Sequence, residues 1–346
     1  MWSRPLRPLQ NKKVTFPWPL FFNCYFFDFQ FHQKSLEQKN FYDILKIMYT
    51  FIDLFAGIGG FHIAFHNVGC ECVFASEIDD NARKTYQYNM ERFSKNIFCE
   101  NHFNKDILKQ DYSEIPDFDI LCAGFPCQSF SQIGQGRGFD ETKQSRGSMF
   151  FVLRDIIKVK RPKCIFLENV RHLLKHNNGK TFAIIKDTIE QELNYSFKYQ
   201  IVYASDYGVP QHRPRLYMVG FRKEDDYKQP FIFPPKQKLK MTMDDIWGAP
   251  CNKKIGFTLR VGGAGSPIDD RRNWDCYLVN GIQKRIGPEE GKKMQGFPDW
   301  FEFPVSRRQA MKQLGNSVAI PAIQAVAEQI VKYLDNQPLN LDKKDE

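Results

Sequence analysis

The sequence predicts an α/β fold in which a mostly parallel sheet carries helices on both of its faces. Two observations support this prediction. Short apolar runs of strand length alternate with stretches of helical periodicity from residue 49 to residue 221, and this alternation is typical of such sheets. The alternation then stops, because residues 222–290 hold many Gly, Pro and charged residues and little periodicity. We therefore expect a smaller, irregular domain there.

The elements of the sheet and its helices can be bounded along the chain. The strand candidates are residues 49–54, 71–76, 118–123, 163–168, 197–203 and 215–221. The helix candidates are residues 60–68, 80–92, 148–160 and 179–192. A final helix is predicted over residues 318–335, because one stripe at helical spacing is apolar. That stripe consists of Ile320, Ile323, Val326, Ile330 and Leu334.

Composition limits the class of protein. The chain has 346 residues, of which 42% are hydrophobic, and this is enough for a sizeable core. Lys and Arg outnumber Asp and Glu by 49 to 40, for a formal net charge of +9, and this excess suits a polyanionic partner without requiring one. The 9 cysteines form no disulfide framework and no repeated metal-binding pattern, so we expect a reducing cytoplasm and no metal site. No apolar run reaches the roughly 18 residues that a membrane helix needs.

Residues 1–47 differ in character from the rest of the chain. They are aromatic, interrupted by proline and without a clear period, and Met48 lies just before the first strand candidate. We therefore expect residues 1–47 to be a dispensable extension, with Met48 as the natural start. The apolar stretch 14–27 imitates a secretory signal, but Pro17 and Pro19 interrupt it and no small-residue cleavage site follows, so export is not expected.

A glycine-rich turn connects the first strand candidate to the first helix candidate, in the segment DLFAGIGGF of residues 53–61. Glycines at such a turn let a ligand approach the backbone near the helix N-terminus. The spacing differs from the dinucleotide fingerprint and there is no phosphate-binding Lys, which disfavours NAD and ATP. The next strand ends at Glu77, whose carboxylate can accept both hydroxyls of a nucleoside ribose. A tight turn beside a solvated Glu is the alternative.

A loop cysteine and a strand-end glutamate are the candidate catalytic pair. Cys127 follows the strand candidate 118–123 within GFPCQSFS, at the carboxyl edge where open α/β sheets place active sites. Pro126 fixes the backbone just before the thiol. Glu168 ends the next strand candidate at the same edge, and a thiol beside a carboxyl group is a nucleophile–acid pair if the substrate lies between them. Packing by Cys127 and helix capping by Glu168 are the alternatives.

Two arginines, Arg213 and Arg215, lie two residues apart in the segment QHRPR. In an extended segment such residues point the same way, so we expect them to face one anionic or carbonyl-bearing target. A solvated face is the alternative.

Six motifs in this order resemble the bacterial DNA (cytosine-5) methyltransferases of restriction–modification systems. They are the DLFAGIGG turn, GFPCQSFS, ENV, QHRPR, QGFPD at 295–299 and GNSVAIP at 315–321. The resemblance covers roughly residues 49–336. It implies the Rossmann-like mixed sheet of S-adenosylmethionine-dependent methyltransferases, S-adenosyl-L-methionine as cofactor, double-stranded DNA as substrate, a functional pairing with a restriction endonuclease, and a monomer.

The resemblance also implies a domain organisation. Residues 48–221 correspond to the catalytic and cofactor-binding domain, residues 222–290 to the target-recognition domain, and residues 291–346 to a return to the catalytic domain. Two positions depart from the family pattern. Ile78 stands where relatives often place a Trp, so cofactor packing is expected to differ there. The segment EGKKM at 290–294 diverges from the commoner ECARL type, and this leaves its local structure open.

By resemblance, Cys127 is the nucleophile, Glu168 the acid, and Arg213 and Arg215 the arginines beside the target base. Phe55 and Asp106 would contact the adenine and Glu77 the ribose. The expected cofactor-binding residues are Phe55, Ala56, Gly57, Gly59, Gly60, Glu77, Ile78, Asp106, Ile107, Pro126, Asn316 and Ser317. The expected DNA-binding residues are Gln128, Ser131, Arg137, Arg146, Thr258, Arg260, Arg271 and Arg272.

Residues 132–147 resemble the mobile loop that closes over DNA in the family. The nearest alternative activity is RNA cytosine-5 methylation, and the long segment 222–290 favours sequence reading on duplex DNA instead. A catalytically silent DNA-binding module would be expected to lack Cys127 or Glu168, and both are present.

Overall fold

The computed structural model describes residues 49–126 and 149–335. These residues all belong to one compact unit, Ile47–Glu346. The predicted extension, residues 1–47, lies outside the described residues, so its dispensability stays a prediction. No helix in the described ranges is long and apolar enough to cross a membrane.

A 7-stranded sheet forms the centre of this unit, with strand order β3-β2-β1-β4-β5-β7-β6. Its strands are β1 Thr50–Leu54, β2 Glu71–Ser76, β3 Phe103–Asn104, β4 Ile120–Gly124, β5 Cys164–Val170, β6 Lys198–Tyr203 and β7 Pro214–Phe221. Neighbours from β3 to β5 pair in parallel, whereas β7 runs antiparallel to both β5 and β6. The predicted mixed, mostly parallel sheet is therefore confirmed, and each strand candidate lies within two residues of an observed strand. The two-residue strand β3 was not predicted.

Helices connect and cover the strands. They are α1 Gly60–Asn67, α2 Asp80–Met90, α3 Lys95–Cys99, α4 Met149–Lys160, α5 Lys180–Asp187, α6 Met243–Trp247, α7 Pro288–Met294, α8 Arg307–Asn316 and α9 Ile320–Asp335. The helix predicted over residues 179–192 is α5 followed by a wider π-type turn, Thr188–Glu192. The final helix is confirmed, with its predicted apolar stripe buried.

The alternation of side chains along the strands divides the core into two layers. Phe51 and Phe166 point to one face of the sheet, where α1 and α9 cover them. Ile52 and Leu121 point to the other face, where α4 covers them. Helices therefore lie on both faces, as predicted. Because both faces are covered, a ligand can reach the sheet at the loops that follow the strand ends.

The segment 222–290 is largely irregular, as expected, but it contains a hairpin of β8 Cys276–Val279 and β9 Ile282–Arg285. Asn280 and Gly281 form its two-residue turn, both with positive φ, at 52° and 75°. Asn-Gly is the strongest short-range signal for such a hairpin, and the sequence analysis did not use it.

Candidate active site

The register of the sheet brings four strand ends to one edge. Leu54 at the end of β1 pairs with Ser76 on one side and with Ala123 on the other. Gly124 at the end of β4 pairs with Glu168 in β5. The residues that follow β1, β2 and β4 therefore meet beside Glu168 at the carboxyl edge of the parallel strands, where open α/β sheets bind ligands.

The glycine-rich turn after β1 adopts a backbone that most side chains disfavour. Phe55, Gly57 and Gly59 have φ values of 55°, 57° and 89°. Ala56 anchors the turn, since its N–H donates to the carbonyl oxygen of Ser76 at 3.0 Å. A Cβ at Gly57 would meet nothing within 4 Å, so the surface of the turn is open to a ligand at that point.

Glu77 is held against this turn. Its Oε2 accepts a hydrogen bond of 2.8 Å from the N–H of Gly57, and its Oε1 accepts one of 2.8 Å from the N–H of Asp79. Two backbone donors therefore fix the orientation of this partly exposed carboxylate. Each oxygen can accept further hydrogen bonds, so the group can still bind a ribose.

Asp106 follows β3 at the same edge, where Ser76 pairs with Asn104. Arg83, which the sequence analysis missed, fixes this segment by donating to the carbonyl oxygens of Asn104 at 2.6 Å and Phe103 at 3.0 Å. Nothing in the sequence marks Arg83, because its partners lie about 20 residues away in the chain.

The side chains flanking Glu77 and Asp106 differ in exposure. Ile78 is 65% exposed, whereas Ile107 is buried in the core. The apolar surface of Ile78 is therefore free to cover a ligand at the position where relatives often place a Trp.

The segment after α8 returns to the glycine turn. A Cβ at Gly60 would lie 2.5 Å from Val318 Cγ2 and 3.4 Å from Ser317 Oγ, so only Gly fits there. Ser317 is buried and Asn316 is exposed. The structure thus brings Ser317 to the glycine turn.

Glu168 and Arg215 form an ion pair at the end of β5. Arg215 Nε lies 2.9 Å from Glu168 Oε1, and Glu168 Oε2 lies 3.5 Å from where a Cβ on Gly124 would be. Burial raises the pKa of the Glu168 carboxyl group, while the Arg215 and Arg213 guanidinium groups oppose that shift. Helix capping by Glu168 is wrong, because the N-cap of the following helical turn is Val170, with no side-chain hydrogen bond.

Arg213 is 2% exposed, which rules out a solvated face for it. Its Nη1 donates to the carbonyl oxygen of Leu259 at 3.1 Å. Its Nη2 donates to the carbonyl oxygens of Gly315, at 3.0 Å, and Ser317. Arg215 instead pairs with Glu168. The prediction that Arg213 and Arg215 face one target is therefore wrong, because the two side chains bind different groups.

Asn169 is a second residue that the sequence analysis missed. Its Nδ2 donates a hydrogen bond of 2.9 Å to the carbonyl oxygen of Phe125. This contact ties the residue before Pro126 to the strand that carries Glu168. Its position within the motif ENV was the available signal. Pro126 itself is exposed. The predicted site residues Cys127, Gln128, Ser131, Arg137 and Arg146 lie outside the described residues.

The remaining DNA-binding candidates lie in the irregular segment. Thr258 donates through Oγ1 to the carbonyl oxygen of His212. Arg260 and Arg271 are exposed. Arg272 is exposed too, but its Nη2 pairs with Asp270 Oδ2 at 2.6 Å, and its hydrogen bonds lower the pKa of Asp270 to about 2. Arg260 and Arg271 are thus the better placed for a polyanion.

The edge formed by β1, β2 and β3 suits a nucleoside cofactor. Glu77 offers an oriented carboxylate, Asp106 a second one two residues beyond β3, and Gly57 an open backbone surface. Ile78 supplies exposed apolar area for an aromatic base. Among the described residues no group of three or more His, Cys, Asp or Glu could hold a metal ion.

Comparison with known proteins places the chain in a family. The family model for C-5 cytosine-specific DNA methylase matches residues 49–261 and 264–332. The type II methyltransferase M.SsoII of Shigella sonnei is 40% identical over 322 residues, which cover 83% of this chain and 81% of that protein. The type II methyltransferase M.HhaI of Haemophilus parahaemolyticus is 35% identical over 328 residues, which cover 83% of this chain and 96% of that protein.

Solved structures show the same fold. A crystal structure of a Spodoptera frugiperda DNMT2 mutant superposes with a TM-score of 0.62 at 19% identity, covering 83% of this chain and 100% of the other. The family reaction is the transfer of a methyl group from S-adenosylmethionine to C5 of cytosine in DNA. The chain belongs to the C-5 cytosine-specific DNA methylase family, and it is a DNA cytosine-5 methyltransferase that uses S-adenosylmethionine.

Proposed function

We propose that the enzyme methylates a flipped-out cytosine in a specific duplex sequence at the edge formed by β1, β2, β4 and β5. The observation that carries this assignment is the buried Glu168 carboxyl group, paired with Arg215 Nε at 2.9 Å, at the strand end next to β4. The chain continues from β4 through Pro126 to Cys127. A nucleophile and an acid supplied from adjacent strand ends are what this reaction needs.

Cys127 is the proposed nucleophile. C5 of cytosine is too weakly nucleophilic for direct methylation, and addition of a thiolate to C6 makes C5 electron-rich. The thiolate is the reactive form, and nearby positive charge favours it. Burial raises the pKa of the neighbouring thiols Cys122 and Cys164, and both lie inside the core, which disfavours either as the nucleophile.

Glu168 is the proposed acid. Its raised pKa favours a carboxyl group that holds a proton, which can pass to N3 of the base as the Cys127 sulfur bonds to C6. This neutralises the negative charge that would otherwise build up on the ring. Arg215 keeps the carboxyl group in place. Positioned acid catalysis of this kind typically contributes on the order of 10²–10⁴-fold.

S-Adenosylmethionine supplies an electrophilic methyl group when bound. We propose that Phe55, Glu77 and Asp106 hold its nucleoside and that Gly57–Gly60 and Ser317 lie along its methionine part. Transfer of the methyl group to C5 would release S-adenosylhomocysteine. A base then removes the C5 proton, the electron pair re-forms the C5–C6 double bond, and Cys127 leaves C6 as the thiolate. N3 returns its proton to Glu168, which restores the aromatic ring and the acid.

The target base must leave the DNA stack, because C6 is inaccessible inside a duplex. Flipping costs a few kcal/mol, and contacts from residues 222–290 would offset this cost. We propose Arg260 and Arg271 for contacts to phosphate or guanine, since Arg paired to guanine is the commonest specific base contact. Thr258 lies in the same segment. The proposed domains are residues 48–221, 222–290 and 291–346.

The relatives are named type II methyltransferases, and we propose for this chain the methyltransferase role in a restriction–modification system. The enzyme would work in the cytoplasm as a monomer, and a restriction endonuclease that cuts the unmethylated site would be its functional counterpart.

The test is to incubate the full chain with unmethylated genomic DNA and S-adenosylmethionine and to map 5-methylcytosine by bisulfite sequencing. The proposal predicts methylation at one short sequence and none with the Cys127→Ala variant. That variant should still bind S-adenosylhomocysteine in calorimetry. Labelling of tRNA without any methylated DNA would overturn the assignment of duplex DNA as the substrate.

A further inference from the structure

The residues that precede Arg213 pair with Gly256, in the segment 222–290 that is proposed to recognise DNA. The N–H of His212 donates to the carbonyl oxygen of Gly256 at 2.8 Å, and the N–H of Gly256 donates to that of Pro210 at 2.8 Å. Alternation along this extended pairing leaves His212 exposed and buries Gln211 and Arg213. The two buried side chains therefore point into the junction between the segments.

Gln211 and Arg213 together hold Leu259, in the middle of the segment 258–261. The N–H of Leu259 donates to Gln211 Oε1 at 3.3 Å. The carbonyl oxygen of Leu259 accepts from Arg213 Nη1 at 3.1 Å. Both backbone polar groups of Leu259 are thus bound by side chains of the motif QHRPR.

The same guanidinium group reaches the segment that borders the cofactor turn. Arg213 Nη2 donates to the carbonyl oxygens of Gly315 and Ser317. A buried guanidinium group is costly unless its donors are satisfied. Arg213 Nε is buried without a hydrogen-bond partner among the described residues, so the guanidinium group depends on its Nη1 and Nη2 contacts. Arg213 therefore favours the arrangement in which Leu259, Gly315 and Ser317 all lie within its reach.

Direct packing joins these segments without a gap. A Cβ at Gly315 would lie 2.5 Å from the backbone C of Arg260 and 2.6 Å from the backbone N of Val261. Three residues further on, Val318 occupies the space that a Cβ at Gly60 would need. Backbone and side-chain contacts thus run from Arg260 through Gly315 and Val318 to the cofactor turn.

We propose that Arg213 and Gly315 are positioning residues that couple the DNA-recognition segment 258–261 to the cofactor turn 57–60, so that each ligand tightens binding of the other. The proposal rests on the assignment of these two segments to DNA and cofactor made above. Arg213 then acts through Leu259 and Ser317 rather than by touching the base. Because such coupling is reciprocal, its usual size of roughly 5–150-fold should appear in both affinities.

The first test uses hydrogen exchange of the wild-type full chain, with S-adenosylhomocysteine as the probe and no DNA. We expect slower exchange in peptides that cover residues 257–263 as well as in those that cover the turn at 55–62. The hairpin 276–285 is the internal control and should not change. Protection at 55–62 with no change at 257–263 would overturn the coupling alone. No change at either would overturn the coupling and the cofactor site together.

The second test compares Gly315→Ala and Arg213→Lys with the control Arg222→Lys. Arg222 follows the far end of β7, where its guanidinium group binds Asp225 and the carbonyl oxygen of Arg161. The Kd of a duplex that carries the mapped methylation site is measured with and without S-adenosylhomocysteine. We expect the cofactor to tighten DNA binding at least about 5-fold in the wild type and the control.

In both test variants the ratio of the duplex Kd without S-adenosylhomocysteine to the duplex Kd with it should fall toward one. The Kd of S-adenosylhomocysteine without DNA should stay within about 3-fold of the wild type. A ratio equal to that of the wild type in both variants would overturn the proposal. If Arg213→Lys does not fold, Gly315→Ala and the exchange experiment still decide the question, because neither depends on that variant.

Discussion

The side-chain amide of Asn169 donates a hydrogen bond of 2.9 Å to the backbone carbonyl oxygen of Phe125. Asn169 is buried and follows Glu168, while Phe125 lies two residues before Cys127 in the chain. Its Oδ1 also accepts from the N–H of Val170 at 2.8 Å, which fixes the amide. This hydrogen bond therefore links the strand of the proposed acid to the backbone that leads to the proposed nucleophile.

Replacing Asn169 with Ala should lower kcat by roughly 10- to 100-fold, because the buried carbonyl oxygen of Phe125 would lose its partner at a cost of about 1–3 kcal/mol. Single-turnover methylation measures the effect. Asn89 is the matched control, since it is a buried amide that binds the carbonyl oxygens of Thr85 and Glu302 away from the site. Asn89→Ala should reduce stability but spare kcat. Equal kcat for Asn169→Ala and the wild type would contradict the linking role.

Glu168→Gln should lower kcat by about 10²–10⁴-fold, because the amide has no acidic proton for N3. Duplex binding, measured by fluorescence anisotropy, should change little. Glu224→Gln is the control, since Glu224 also pairs with an arginine, Arg161 Nη2 at 2.6 Å, but lies beyond the opposite end of β7. Near-normal turnover of Glu168→Gln would remove this residue from the mechanism.

Glu77→Gln should weaken S-adenosylhomocysteine binding by about 10–100-fold, because hydrogen bonds to a charged group contribute about 1.5–3 kcal/mol. The Glu77 carboxylate also accepts from the N–H of Gly57, so the turn is expected to loosen as well. Isothermal titration calorimetry gives the Kd. Glu71→Gln, at the other end of β2, should bind as the wild type does. A Kd unchanged by Glu77→Gln would move the ribose site elsewhere.

His62 should make the stability of the protein depend on pH. Its ring nitrogens lie 2.6 Å from the Tyr86 hydroxyl and 2.8 Å from Ser94 Oγ, and burial lowers its pKa to about 3. In the unfolded chain histidine titrates near about 6.5. Between these values only the unfolded state binds the proton, so stability is lost as pH falls from about 6.5 to about 3, by at most about 1.4 kcal/mol per pH unit.

Urea unfolding at several pH values between 4 and 7 checks this expectation. The difference between the wild type and His62→Gln isolates the contribution of His62 from those of other titrating groups. His102→Gln is the control, because His102 is partly exposed beside Glu100. Parallel curves of unfolding free energy against pH for the wild type and His62→Gln would show that His62 does not titrate as described.

Six of the seven strands of the sheet could be predicted because each contains a local apolar run, whereas the two-residue strand β3 is too short to leave such a signal. The register-dependent contacts could not be predicted. Arg213 binds carbonyl oxygens at Leu259, Gly315 and Ser317. These partners lie 46 to 104 residues away in the chain, and the residues near Arg213 do not indicate them. For this reason Arg213 and Arg215, which lie two residues apart, were expected to face one target, whereas in the structure their partners differ.

The divergent segment at 290–294 forms the end of helix α7 in the structure. Glu290, the residue that it shares with the commoner pattern, accepts from the N–H of Gly287 at 2.8 Å and caps the helix. Lys292 is buried, and its Nζ donates to the carbonyl oxygens of Asp299 and Phe301 at 3.3 and 3.2 Å. Lys292 Nζ also pairs with Glu289 Oε2 at 2.9 Å, within the same helix. The sequence could indicate this local pair, but not the two carbonyl partners beyond the end of the helix.

The central claim is that Cys127 bonds to C6 of the target cytosine, and trapping of that adduct tests it most directly. A duplex with 5-fluorocytosine at the mapped site is incubated with the full chain and S-adenosylmethionine, because fluorine at C5 prevents the last proton removal. We predict a protein–DNA species that survives denaturation, with peptide mass spectrometry placing the linkage on Cys127 and no adduct for Cys127→Ser. Methylation of the unmodified duplex under the same conditions without any adduct, or a linkage at another residue, would contradict the account.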